Sequence, residues 1–225
     1  MFNRLARIAV VASACAAAPA MADTVTISGY QWGAAPSIDT SMSGSVGTGQ
    51  FKGKHDGIDF LTYCTDIFEY FNWNTTYTNY FVAPNASTYG FTNAQANMLG
   101  KLYTVADALV DTADEAASFQ LAIWEILYDT SYEVRNIAGR GNFYVESGGN
   151  AGHQTQANAW LAQAGALGSS QFNVVRLASV DAPRMNDGSQ DFILVSKVPE
   201  PGTLVLMLGG LAAAGLVARR RRSPA

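Results

Sequence analysis

The sequence predicts an α+β fold: a β-sandwich or barrel-like body with a helical insertion, preceded by a signal peptide and followed by a single transmembrane helix. Three observations carry this expectation. Short period-two segments open the body, two capping boxes start helices in its middle, and two extended segments close it. Apolar residues fill 48% of the 225 positions, enough for a sizeable core, which excludes global disorder. The formal net charge of −4 argues against a chain that reads nucleic-acid phosphates. Two cysteines cannot build a disulfide-dense scaffold or a four-cysteine zinc site.

The first strand is expected at Thr24–Ser28, where branched apolar and small polar residues alternate. The Gly/Ser-rich stretch 34–49 reads as a loop or loose hairpin. Further strands are expected at Gln50–Gly53, at Ile58–Thr65 and at Thr75–Val82. In the second of these, Ile58, Phe60, Thr62 and Cys64 share a face. Thr92 and Gln95 form one capping box, followed by apolar residues at helical spacing as far as Leu109. Thr112 and Glu115 form a second, opening a helix to Leu127 that is apolar nearly all round and so centrally buried. A third helix is expected over about 152–164, with Gly165 as its left-handed stop. Phe172–Val180 and Asp191–Val198 flank Asn186-Asp187-Gly188, a turn-forming cluster, and read as a closing hairpin.

The two ends are addresses rather than fold. Arg4 and Arg7 form a positive n-region, Leu5–Ala18 reads as a small, apolar h-region, and Ala20-Met21-Ala22 supplies a small–x–small cleavage site. Residues 1–22 are therefore expected to be a signal peptide removed by signal peptidase. The run is short for a membrane span of ~20 residues. A lipoprotein site at Cys15 is disfavoured by Ala12, where a larger aliphatic is preferred. The exported domain is expected over 23–197. It holds 17 acidic and 8 basic residues, a body near −9, with the single cysteine Cys64. A lone cysteine in an exported chain is buried, paired between chains, or used chemically.

At the other end, Val198-Pro199-Glu200-Pro201-Gly202 precedes an apolar run over 203–218, then Arg219-Arg220-Arg221-Arg222. Pro199 and Pro201 exclude a regular helix or central strand and keep the motif extended. The apolar run makes a transmembrane helix of roughly 24 Å at 1.5 Å per residue. The four arginines hold its end in the cytoplasm. Residues 198–225 resemble the PEP-CTERM sorting signal of Gram-negative bacteria. The resemblance implies recognition by an exosortase, a transpeptidase-like membrane enzyme, and removal of the tail near Pro199-Glu200-Pro201. It also implies inner-membrane tethering before processing, then release to the matrix or attachment at the surface, in association with exopolysaccharide and biofilm. The plainer alternative is a tail anchor that is never cut.

One polar residue sits badly in this pattern. Gln120 lies inside the apolar second helix, with Ala116 one turn before it and Trp124 one turn after. A cysteine sulfur that meets a glutamine side-chain carbonyl in a dry pocket can displace ammonia and leave a thioester. Cys64, beside Tyr63, is the candidate partner. Tyr63-Cys64 and Phe119-Gln120-Leu121-Ala122-Ile123-Trp124 resemble the Tyr-Cys and Gln-x-x-x-Trp elements of the thioester domains of bacterial surface adhesins. The resemblance implies a Cys64–Gln120 bond, with Tyr63, Ala116 and Trp124 forming its pocket, that captures an amine-bearing surface ligand. The alternative is an inert, buried Cys64 and a hydrogen-bonded Gln120.

Other signals are weaker. The run Tyr70-Phe71-Asn72-Trp73, with Tyr77, Tyr80 and Phe81, is either a sugar-stacking platform or ordinary core. His55 and His153 lack zinc-site spacing, and Asp181, Asp187 and Asp191 lack a calcium-loop pattern. No metal, cofactor or nucleic-acid partner is expected, and no enzymatic motif is present. The expected function is that of a non-enzymatic surface or matrix protein attaching through Cys64–Gln120. A non-covalent exopolysaccharide binder is the alternative, and a secreted hydrolase the least favoured.

Overall fold

A computed structural model describes residues 22–33, 36–135, 141–146, 151–180 and 189–199, and six positions between 202 and 211. The signal peptide (but for Ala22), the turn at Asn186-Asp187-Gly188, and Glu200, Pro201 and Arg219–Arg222 lie outside these residues. The expected span at 203–218 is described only at 206, 207 and 209–211, which are helical and exposed. No helix among the described residues is long and apolar enough to cross a membrane.

Among the described residues, the body is a six-stranded antiparallel sheet that nearly closes into a barrel, with three α-helices inserted between its fourth and fifth strands in chain order. A separate hairpin adds two strands. Strand β1 is Asp23–Tyr30, and β2 (Ser37–Thr40) pairs with β3 (Gly44–Gly47) in the small hairpin, so the Gly/Ser-rich stretch is folded. Then follow β4 (Phe51–His55), β5 (Ile58–Thr62) and β6 (Thr76–Ala83). The helices are α1 (Asn93–Ala106), α2 (Ala113–Tyr128) and α3 (Ala151–Ala166), and β7 (Phe172–Ser179) and β8 (Phe192–Lys197) close the body. The sheet order is β5-β4-β1-β6-β7-β8, with every neighbouring pair antiparallel.

The local reasons match the chemistry of each segment. Asp56 and Gly57 take left-handed φ of 50° and 79°, the two-residue turn that joins β4 to β5. Both expected capping boxes form: Thr92 with Gln95 opens α1, and Thr112 with Glu115 opens α2. Residues Ala116–Ile126 of α2 are buried without a break, so this helix is the spine of the core. The third helix runs past Gly165 to Ala166. The expected left-handed stop is therefore not used, and the Leu167 N–H bonds the Ala164 carbonyl instead.

The barrel closes between its two edge strands. Regular pairing of β5 ends at Thr62, three residues before the expected Thr65, because the chain there swings across to β8. Cys64 bridges Phe192, the Ile193 N–H donates to the Tyr63 carbonyl at 3.2 Å, and the Thr65 N–H donates to the Asp191 carbonyl at 3.0 Å. The Thr62 hydroxyl adds a bond to the Ile193 carbonyl at 2.7 Å. Burial follows: Thr62, Tyr63, Cys64 and Thr65 are all buried, whereas Ile58 at the far end of β5 is exposed.

Helix α1 crosses close to the start of β7. A Cβ on Gly100 would sit 2.5 Å from Ser170 Oγ and 2.6 Å from the Phe172 carbonyl oxygen. Alanine in an open helix position gains ~1 kcal/mol over glycine. Here overpacking of ~1–3 kcal/mol opposes that gain. Gly100→Ala is therefore expected to lower the urea midpoint, and a raised midpoint would show that the helix can retreat from the strand.

Candidate functional site

The site begins where β5 ends. The segment after it, residues 63–70, passes between α2 and the start of β8. Helix α2 grips it with two side chains. The Gln120 carboxamide pairs reciprocally with the backbone of Cys64: the Cys64 N–H donates to Oε1 at 3.1 Å, and Nε2 donates to the Cys64 carbonyl at 2.9 Å. Two turns further on, the Tyr128 hydroxyl accepts from the Ile67 N–H at 3.1 Å and donates to the Thr65 carbonyl at 3.2 Å. From the other side, Gln190 Nε2 donates to the Asp66 carbonyl at 2.7 Å. Gln120 is fully buried, and each of its polar heavy atoms is partnered by the one residue Cys64.

Cys64 is a free, buried thiol. Burial, with Asp66 nearby, pushes its pKa well above the usual thiol value. Beside it opens a cavity of about 200 Å³, walled by Tyr30, Phe51, Trp73 and Trp124 and edged by Asp66 and Glu69. The aromatic wall is tightly built: Tyr30 stacks on Phe51 at 5.0 Å, and Trp73 meets Tyr30 edge-on at 5.2 Å. Tyr70 and Trp73 reach solvent, so the sugar-platform candidates divide. These two are exposed, while Tyr80 is core and hydrogen-bonds the Gln190 carbonyl.

The structure brings Cys64, Gln120 and Trp124 together at this point. Tyr63 stacks on Phe119 with ring centroids 4.8 Å apart and faces Tyr103, and Ala116 is buried in α2. Neither of these, nor Gln120, is among the residues lining the cavity, which Cys64 and Trp124 do line.

One contributor was missed in the sequence. Glu69 is 6% exposed, and its Oε2 has no hydrogen-bond partner among the described residues. Burial, then the charges of Asp66 and Asp191, push its pKa up to about 7, against the opposing pull of the Asp191 backbone and Arg176. Burial likewise lifts Asp191 to about 6, although it accepts from the Ser179 N–H at 2.7 Å and faces Arg176 at 3.5 Å. Elsewhere, His55 Nε2 lies 3.2 Å from Asp23 Oδ2 and 3.7 Å from Asp56 Oδ2, a grouping able to hold a cation. Only the fold reveals it, since Asp23 comes from β1, His55 ends β4 and Asp56 lies in the β4–β5 turn.

The buried carboxyls set a pH dependence. Folded, Glu69 keeps its proton up to about pH 7, whereas its ordinary value is 4.5. Between these values the folded chain binds more protons than the unfolded one, so stability falls as pH rises. Asp191 acts with the same sign between its ordinary 3.8 and about 6. Urea unfolding across this range is expected to show the fall, with Glu69→Gln flattening its upper part. An unchanged slope in that variant would remove Glu69 as a cause.

Comparison with known proteins bears on the tail. Residues 197–222 match the PEP-CTERM protein-sorting motif. No curated protein and no solved structure matches the chain. The match begins at the last residue of β8, so the motif follows the barrel directly, and Val198 and Pro199 are exposed as it starts. The chain carries the sorting signal of an exported, cell-surface-directed protein that is processed by an exosortase.

Proposed function

We propose that the exported body is a covalent capture module, attaching to an amine-bearing ligand at the cell surface or in an exopolysaccharide matrix through an internal thioester. The observation that carries this reading is the reciprocal pairing of the Gln120 carboxamide with Cys64. In the forming step, Cys64 Sγ bonds to Gln120 Cδ, the Cδ–Nε2 bond breaks, and the thiol proton leaves with the nitrogen as ammonia. The existing hydrogen bonds suit that course. The Cys64 N–H polarises the carbonyl under attack and stabilises the charge that develops on Oε1. The Cys64 carbonyl holds the nitrogen that departs. Burial of both residues keeps water from hydrolysing the acyl group. In the capture step a ligand amine attacks Cδ, an amide forms, and Cys64 regains its thiol.

Intact-mass measurement tests the forming step. Fresh protein is expected to be lighter than its sequence by one ammonia, and Cys64→Ala to show the full mass. Methylamine is expected to cancel the deficit and leave an adduct mapped to Gln120. Full mass in fresh wild-type protein would end the thioester reading.

The second reading, non-covalent exopolysaccharide binding, is favoured by the exposure of Tyr70 and Trp73 at the cavity mouth. It needs no mass deficit and is read by glycan retention that a Tyr70→Ala, Trp73→Ala pair abolishes.

Cleavage is proposed near Pro199-Glu200-Pro201, just beyond β8. Mass analysis of the secreted form is expected to find a C-terminus lacking Arg219–Arg222. A secreted chain that still ends beyond Arg222 would contradict cleavage there.

A further inference from the structure

We infer that Glu69 docks the incoming amine in the cavity beside Cys64 and takes its proton as the amine attacks the Gln120 acyl carbon. The inference rests on the thioester reading and assigns the residue that handles the proton. Three observations support it. Glu69 and Cys64 line the same cavity. Glu69 Oε2 is a buried acceptor without a hydrogen-bond partner among the described residues. Trp124 Nε1, on the same cavity's lining, is a buried donor likewise without one. An unpartnered acceptor and an unpartnered donor around one space fit an occupant that both gives and receives hydrogen bonds, as an amine does.

The electrostatics agree. The groups that act on Glu69 are Asp66 on its own segment, Asp191 before β8 and Arg176 on β7, and Glu69 in turn bears on Tyr80 of β6 and Tyr128 of α2. Burial and the two aspartates bring the Glu69 carboxyl to about 7, so near neutrality it both gains and loses a proton readily. The balance is closed: the C–N bond forms, the C–S bond breaks, the amine proton passes to Glu69, and the Cys64 sulfur takes a proton back. Burial favours the neutral thiol, so Cys64 is a ready final acceptor.

The test follows adduct formation by intact mass on the exported protein, with trifluoroethylamine as the probe because it is largely uncharged near neutrality. The wild-type rate is expected to rise through about pH 7 and level off above it. Glu69→Gln is expected to be roughly 100-fold slower and flat across the same range. Asp66→Asn keeps a group that can accept from the Phe68 N–H but removes a neighbouring charge, so it is expected to move the midpoint downward. An ammonia-deficient Glu69→Gln protein with the wild-type rate and profile would overturn the inference and leave the thioester standing. Wild-type protein without the ammonia deficit would overturn both. If Glu69→Gln does not fold, an unshifted midpoint in Asp66→Asn overturns the role of Glu69.

Discussion

Gln120 devotes its carboxamide to the backbone of Cys64, and much of the structure is arranged around that pairing. A carboxamide is costly to bury unless its donor and acceptor are both met. Here they are met by the residue that crosses from β5 to β8, where the barrel has no regular ladder to satisfy its backbone. The same side chain therefore closes a gap in the sheet and fixes α2 against it. Tyr128 repeats the device two turns along, and Gln190 holds the segment from the opposite side. The segment that carries the thiol is thereby clamped between the helix layer and the last strand.

The clamp has an electrostatic side. Asp66, Glu69 and Asp191 converge on one end of the barrel, with Arg176 as the compensating cation. Arg176 is itself shared, lying 4.9 Å over the Phe91 ring as well as beside Asp191. One shared cation does not cancel three carboxyl groups in a poorly hydrated site. Burial first, and the neighbouring carboxylates after it, favour the protonated forms of Glu69 and Asp191 and so raise their values.

What was legible in the sequence was local or periodic. The capping boxes Thr92/Gln95 and Thr112/Glu115 span three residues each and form as read. The uninterrupted apolar character of α2 announced its burial, and Gln120 stood out against it. Cys64 was paired with Gln120 on thiol–carboxamide chemistry and a family resemblance, neither of which fixes a position in space, and the fold brings the two into contact across 56 positions. At β5, alternation placed Ile58, Phe60, Thr62 and Cys64 on one face but could not show which residues are buried. Closure against β8 buries Tyr63 on the other face as well. Glu69 was not legible, because its character comes from Asp191, more than a hundred residues away, and from burial by the assembled barrel.

The bridge between Cys64 and Phe192 also sets a load path. The clamped segment touches β8 at its first residue, and the tail leaves from its last, Lys197. A pull on the tail thus enters β8, roughly 20 Å long at 3.4 Å per residue. When the pull lies along the strand, its ladder with β7, from Phe172–Lys197 to Leu177–Phe192, resists in shear, all pairs at once, rather than peeling one at a time. From Phe192 the load passes through the Cys64 bridge and the Gln120 pairing into α2.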